Sequence, residues 1–284
     1  MGEPLTRLLG APEVLRIADM VGAVHPAFAA GDFVAQALDG LDALALTPRG
    51  WHVAHALRRH LPGDFEDAAA VLVASLGPPA EGDESPGEGS FLYLPHAFLV
   101  AHYGLDDFEA SMRACHAITR RFTAEFTVRP FLERHPRATL ARLSEWTADP
   151  SPHVRRLVSE GTRPRLPWAR RLRAFQRDPA PVLALLEALK DDPERYVQRS
   201  VANNLNDIGK DHPEVLVDTC ARWARDASPG RAWVVRHALR HAVRRGDPGA
   251  LAVLGYEHGA PAGVEEVAVH PPVVPIGGRV RVAA

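Results

Sequence analysis

One spacing constrains this chain more than any other feature. Asp149-Pro150 is followed by His153-Val154-Arg155-Arg156, and 43 residues later Asp192-Pro193 is followed by Tyr196-Val197-Gln198-Arg199. A looser third copy, Trp233-Val234-Val235-Arg236, comes 37 residues after that. Helix pairs recurring at ~40–47 residues are the signature of HEAT-like solenoids, because a single pair cannot bury its apolar face and must stack on its neighbours. Other segments agree, with apolar residues at i, i+3 and i+4: Val14–Val21, Phe33–Leu46, Ala68–Leu76, Phe108–Phe122, Thr139–Trp146, Val182–Leu189, Val197–Leu205 and Val215–Trp223. The expected fold is therefore all-α, a HEAT-like helical-repeat solenoid with a concave basic surface. Arg156, Arg199 and Arg236 recur along one edge of it.

Punctuation refines the picture. Asp-Pro precedes four later segments, at Asp149, Asp178, Asp192 and Asp247. There Asp can cap free backbone N–H groups, and Pro loses an N–H that had no partner. The stretch GPPAEGDESPGEGS, residues 77–90, reads as a mobile surface loop. Gly263 to Ala284 alternates apolar and polar residues and is rich in Val, which is strand chemistry. The expected organisation is a solenoid over residues 1–258, with N-terminal helices over 1–105 and a repeat core over 106–258. A short β-rich tail over 259–284 follows.

Composition excludes several classes. With 46% hydrophobic and 24% charged residues, the chain is not a disordered one. Cys115 and Cys220 alone make no disulfide framework and no four-Cys zinc cluster. No apolar run approaches the ~18 residues of a membrane span. The N-terminus carries acids early and lacks an apolar signal core. These features lead us to expect a reduced, cytoplasmic, monomeric protein.

The net charge of −2 conceals an asymmetry. Residues 1–112 hold 5 basic and 16 acidic side chains, whereas residues 113–177 hold 15 basic and 5 acidic. All 15 are arginine, and five acids within that window cannot pair them. Such a basic block is a candidate polyanion footprint, set against the alternative of a solvated Arg–Glu face.

Two carboxylates stand out by position. Glu160 directly precedes Gly161, and Asp207 lies two residues before Gly209. Both glycines resemble helix stops, so both acids fall in a last turn, where the helix dipole disfavours an anion by ~0.3–1 kcal/mol. Each therefore needs a cation, with Arg156 four residues before Glu160 and Asn203 four before Asp207. Two readings stand: structural ion pairs, or carboxylates on facing helices aimed at a cationic ligand. If they are ion pairs near the surface, loss of their charge should cost on the order of 0–1 kcal/mol; if they face a cationic ligand, Glu160→Gln and Asp207→Asn should keep or slightly raise stability, because the dipole conflict is relieved. Trp168 closes the rigid run Arg163-Pro164-Arg165-Leu166-Pro167 and could stack on a base or cover a core edge. Asn203 and Asn204 are poor mid-helix residues, and one could bond a phosphate or a loop. Glu125, within a basic stretch, reads as an arginine partner. His237 and His241, and His52 and His55, lack the Glu of an HExxH zinc helix. There is no phosphate-binding glycine loop.

At these residues the sequence resembles a known family. RRFTAEFTVRPFLERHP, DPSPHVRRLVSEGTRPRLPWARRL, LKDDPERYVQRSVANNLNDIGKDHPE and VRHALRHAVRRGDPGAL are similar to stretches of the AlkC family of bacterial DNA alkylation repair proteins. That family comprises 3-methyladenine DNA glycosylases of HEAT-like architecture, and the resemblance runs from about Glu3 to Leu254. It implies that Glu125, Glu160, Trp168 and Asp207 contact the lesion and that Arg156 contacts DNA. Arg163, Arg165, Arg199, Asn203 and Arg236 complete the expected DNA-binding set. The implied activity is monofunctional hydrolysis of the N-glycosidic bond of cationic alkylated bases in double-stranded DNA, without metal or cofactor. It implies nucleoid association when bound, and a shallow arginine-lined groove that grips the backbone rather than a deep pocket. The Val-rich tail resembles the opening strands of the immunoglobulin-like domain some members carry. A non-catalytic nucleic-acid binder and a HEAT-type protein adaptor are the rival readings.

Overall fold

The computed structural model describes residues 5–80, 87–256, 266–275 and 277–283. Its helices, in order, are α1 (Ala11–Val24), α2 (Ala30–Leu38), α3 (Leu46–Arg59), α4 (Phe65–Ser75), α5 (Leu94–Tyr103), α6 (Phe108–Thr119), α7 (Glu125–Arg134) and α8 (Pro136–Trp146). They continue as α9 (Pro152–Gly161), α10 (Arg173–Arg177), α11 (Ala180–Leu189), α12 (Arg195–Ile208), α13 (Pro213–Ala224), α14 (Pro229–Arg244) and α15 (Pro248–Val253). The stack has an inner row in which α3, α5, α7, α9, α12 and α14 each pack on the next. α8, α11 and α13 back that row from outside. This is the two-layer solenoid that the repeat requires.

The repeat helices show why the rows form. α9 buries Val154, Leu157 and Val158, and α12 buries Val197, Val201 and Leu205, an i, i+3/i+4 stripe in each case. Gly161 and Gly209 serve packing rather than a left-handed stop. Neither is among the positive-φ glycines. A Cβ on Gly161 would lie 2.4 Å from Val128 Cγ1, and one on Gly209 2.3 Å from Leu216 Cδ2. Of the four Asp-Pro steps, only Asp247 caps its helix, accepting from Ala250 N at 2.8 Å. Asp149, Asp178 and Asp192 accept instead from the N–H two residues on, at 2.8, 3.0 and 2.9 Å. These are Asx turns that lead into the next helix.

One helical expectation changes, and one helix carries no periodic signal. Phe33–Leu46 is not one helix: α2 ends at Leu38, Gly40 takes φ 70°, and a 3-10 turn at Leu41–Ala43 precedes α3. α5 carries no amphipathic signal, because Leu94 through Ala101 are all buried. In the tail, β1 (Ala268–His270) pairs antiparallel with β2 (Arg281–Ala283), in register Val269 with Val282. Every residue of both strands is exposed. The expected boundary at 258/259 and residues 81–86 of the acidic loop lie outside the described residues. Within the described residues, no helix is long and apolar enough to cross a membrane.

Candidate active site

α7, α9 and α12 bring together side chains far apart in sequence. Glu125 is the first residue of α7, Arg156 and Glu160 lie one turn apart on α9, and Asp207 sits in the last turn of α12. Arg163 follows the end of α9. These residues form a chain of alternating charge. Arg156 Nη1 donates to Glu125 Oε2 at 3.0 Å and to the Thr123 hydroxyl at 2.6 Å, and Arg156 Nη2 lies 3.6 Å from Glu160 Oε1. Arg163 Nη1 donates to Glu160 Oε1 at 2.7 Å, while its Nε and Nη2 each reach Asp207 Oδ2 at 2.8 Å. Ser200 Oγ donates to Glu160 Oε2 at 2.6 Å, and Lys210 Nζ to Asp207 Oδ1 at 2.8 Å. The cation each helix-end acid needs is thus chiefly Arg163, shared between them. Asn203 is not the partner of Asp207; its Oδ1 accepts from Arg240 at 2.8 Å. Asn204 bonds neither a phosphate nor a loop but the end of α9, donating to Ser159 O at 2.7 Å and to the hydroxyl of Thr162, the residue that closes the helix.

This network is buried: Glu125 is 7% exposed, Glu160 6%, Arg163 8% and Asp207 1%. Burial reverses the stability expected from helix position. Removing one charge from a buried, hydrogen-bonded set strands its partner, at a cost of ~3–5 kcal/mol, which exceeds the helix-dipole term. The two glutamates also differ electrostatically. Burial raises the Glu125 carboxyl above its ordinary value, against Arg156 and with help from Glu160. Burial pushes Glu160 the same way, but Arg156, Arg163 and the Ser200 hydroxyl outweigh it and hold Glu160 below the usual range.

Glu125 and Glu160 border a cavity of about 620 Å³. Trp168 lines its rim, 74% exposed at φ 63°, a left-handed conformation costing a non-glycine residue on the order of 1 kcal/mol. The Trp168 loop is anchored from α7. Arg129 donates to the carbonyls of Gly161 at 3.0 Å, Arg163 at 2.9 Å and Arg170 at 2.5 Å. Burial lowers the Arg129 pKa to about 10. Neither Asp207 nor Arg163 lines the cavity; Asp207 is linked to it through Arg163, which bonds Glu160 on the cavity wall. The far wall is aromatic and includes Trp51, Phe98 and Phe126. Sequence reasoning passed over Arg129, Ser200 and this wall, because aromatic residues at helical spacing signal core as readily as a cavity surface.

The arginine-rich window has partners outside itself. Arg113 pairs with Glu66 at 2.6 Å, Arg142 with Glu109 at 2.9 Å, Arg155 with Asp192 at 2.6 Å, and Arg165 with Asp211. A charge count along the chain is therefore not a count in space. Arg163, expected to face DNA, is spent inside the network, and Arg156 largely so. Arg199 and Arg236, at the matching repeat positions, are exposed. His55 and His237 serve as ring partners, His55 bonding the Tyr103 hydroxyl and His237 stacking on Trp233. Among the described residues no group of three or more His, Cys, Asp or Glu is placed to hold a metal ion.

Comparison with known proteins adds to this geometry. A family model described as "DNA alkylation repair enzyme" matches residues 108–242. "Uncharacterized protein YhaZ" of Bacillus subtilis (strain 168) is 37% identical over 234 residues, covering 82% of this chain and 63% of YhaZ, so the chain spans about 63% of that relative's length. The structure of Pseudomonas fluorescens alkylpurine DNA glycosylase AlkC, bound to DNA containing an abasic site analog, superposes with a TM-score of 0.81. The two are 38% identical, and the match covers 95% of this chain and 71% of that one. The repeat architecture, the shared sequence and the match over most of both chains lead to one conclusion: the chain belongs to the DNA alkylation repair enzyme family, with AlkC.

Proposed function

We propose that this protein is a monofunctional DNA glycosylase that hydrolyses the N-glycosidic bond of cationic alkylated bases, such as 3-methyladenine, in duplex DNA. The observation that carries this reading is the pair of buried carboxylates, Glu125 and Glu160, bordering a cavity rimmed by exposed Trp168. Alkylation at N3 makes adenine cationic, so the base departs with the bond electrons as a neutral molecule and needs no strong general acid. Positive charge then builds on the sugar. Glu160, kept ionised by two guanidiniums and a hydroxyl, stabilises that charge in a water-poor site. Glu125, whose pKa is raised by burial, is suited to take the proton from the water that bonds to C1′. Two carboxylates with pKa values pushed in opposite directions make this division of labour.

Arg163 and Asp207 hold Glu160 in place, and Trp168 packs against the lesion nucleotide. Arg199 and Arg236, exposed on successive inner helices, take backbone phosphates, with double-stranded DNA as the partner. Among the described residues, the cavity lining contains no lysine to supply an amine for a Schiff-base lyase step. Single-turnover release of 3-methyladenine from methylated duplex DNA tests the proposal. Release by the wild type and its loss in Glu160→Gln are expected; no release from any methylated duplex would refute it.

A further inference from the structure

We infer that Arg129 is a positioning residue for base release: from α7 it fixes the loop that carries Trp168, and so sets where that ring stands relative to Glu125 and Glu160. This rests on the glycosylase reading and adds to it the group that aligns its parts. Arg129 lies one turn after Glu125 on α7 and is only 5% exposed. Its guanidinium is spent on three main-chain carbonyls, those of Gly161, Arg163 and Arg170. These belong to both limbs of one loop. Gly161 directly follows Glu160 at the end of α9, Arg163 bonds Glu160 and Asp207, and Arg170 lies two residues past Trp168. Leu172 N donates to Pro164 O at 3.2 Å and closes the base of the loop, where Leu166 and Leu172 are buried. One guanidinium thus ties the helix end that bears Glu160 to the loop that bears the tryptophan.

Trp168 itself is unfavourable twice over, with a large apolar ring left in solvent and a left-handed backbone. Such strain persists only where the surrounding structure over-determines it. The cavity beside it is lined by apolar side chains, Phe91, Phe122 and Phe126 among them. A loosened loop would let the ring fold onto those side chains and leave solvent, which the hydrophobic effect favours. Arg129 opposes that collapse by holding both limbs. A planar fork of fixed donors serves three carbonyls at once, whereas an ammonium on a flexible stem does not reproduce that geometry. Arg49 supplies an internal comparison. It is also buried and donates to the carbonyls of Leu44, Thr6, Leu9 and Asp42. It ties α3 to the 3-10 turn at Leu5–Leu8 and does not line the cavity. The two arginines share chemistry and burial, and differ in what their carbonyls carry.

The test is single-turnover release of 3-methyladenine from methylated duplex DNA, with a melting curve for each variant. Arg129→Lys should slow release by ~10–10², the loss that a misplacement of about 1 Å brings. Duplex affinity on a gel-shift titration should stay within about threefold of wild type, since what is lost is alignment in the transition state. Trp168→Ala should also slow release, and the double variant should be no slower than the slower single one, because both changes remove one placement. Arg49→Lys should lower the melting temperature as Arg129→Lys does, yet keep base release and the full effect of Trp168→Ala. Multiplying effects of Arg129→Lys and Trp168→Ala, or equal slowing by Arg49→Lys, would reduce Arg129 to a structural tie and overturn the inference. If Arg129→Lys does not fold, two glycines inserted between Trp168 and Ala169 loosen the tip with Arg129 in place. Normal release by that variant overturns the inference, and slowed release sustains it. A wild type that releases no base removes the glycosylase reading separately. Amide hydrogen exchange across residues 163–172 then judges the anchor: faster exchange in Arg129→Lys than in Arg49→Lys sustains it, and equal exchange overturns it.

Discussion

Arg156 and Arg199 occupy the same position in successive repeats, 43 residues apart, yet they do different work. Arg156 lies between Glu125 and Glu160 with its guanidinium 5.2 Å from the Tyr196 ring centroid. Arg199, one repeat on, is exposed, and so is Arg236 at the third position. One turn further along each helix the contrast deepens, because Glu160 is matched by Asn203 and then by Arg240. The repeat thus sets where a side chain emerges on the inner row. The neighbouring helix decides whether it becomes part of a buried charge network or an open cation. An acid at one repeat, an amide at the next and a base at the third turn a periodic scaffold into one site with a basic flank.

Arg163 is the centre of the buried network, and its loss should be felt more than that of either exposed arginine. Arg163→Ala strands Glu160 and Asp207 in a buried setting and should cost ~3–5 kcal/mol, a melting decrease on the order of 10 °C. Arg199→Ala and Arg236→Ala should each stay within ~0.5 kcal/mol of wild type. Equal melting curves for Arg163→Ala and Arg199→Ala would show that the buried bridge holds nothing.

Chemistry should divide along the same line. Glu125→Gln and Glu160→Gln should slow single-turnover base release by ~10²–10³, with duplex affinity retained on a gel-shift titration. Normal release by both variants would return the two acids to a purely structural role.

The pH response carries opposite signs at the two glutamates. Glu160 has a lowered folded pKa, so its contribution to stability is complete above the ordinary carboxylate range and is lost as pH falls through the folded value. Glu125 has a raised pKa, so its ionised form disappears first on acidification. Base release should therefore fall with pH before the protein begins to melt. Glu125→Gln should leave a slow rate without that acid limb. A wild-type rate that stays level until unfolding would contradict the assignment of the base to Glu125.

The smallest effect concerns salt. The log–log slope of duplex affinity against salt should shrink by ~0.9 for Arg199→Ala or Arg236→Ala, as one phosphate contact is lost. Arg156→Ala should leave the slope nearly unchanged, since its charge is already balanced by Glu125 and Glu160. An equal change of slope for Arg156 and Arg199 would mean that the two arginines both reach phosphates.

Much of the fold was legible in the chain itself. The 43-residue spacing and the i, i+3/i+4 stripes of Val154, Leu157 and Val158 determine stacked helix pairs, because such a face is stable only when covered. The last-turn positions of Glu160 and Asp207 were readable, as was their need for a cation, because helix ends follow local rules. Tertiary structure alone decided which cation answers, since Arg163 and Asp207 are 44 residues apart and meet only when α9 packs on α12. It also decided that glycine at 161 and 209 is demanded by Val128 and Leu216 rather than by backbone conformation. Helix α5, buried on nearly every side, left no periodicity to read, and so the aromatic wall it builds with α3 stayed hidden. The arginine excess of residues 113–177 likewise depended on the fold, because Glu66, Glu109, Asp192, Asp207 and Asp211 reach into it from elsewhere. Local periodicity is set by bonds along the chain, whereas charge pairing and cavity shape depend on distances through space that form only when the helices pack.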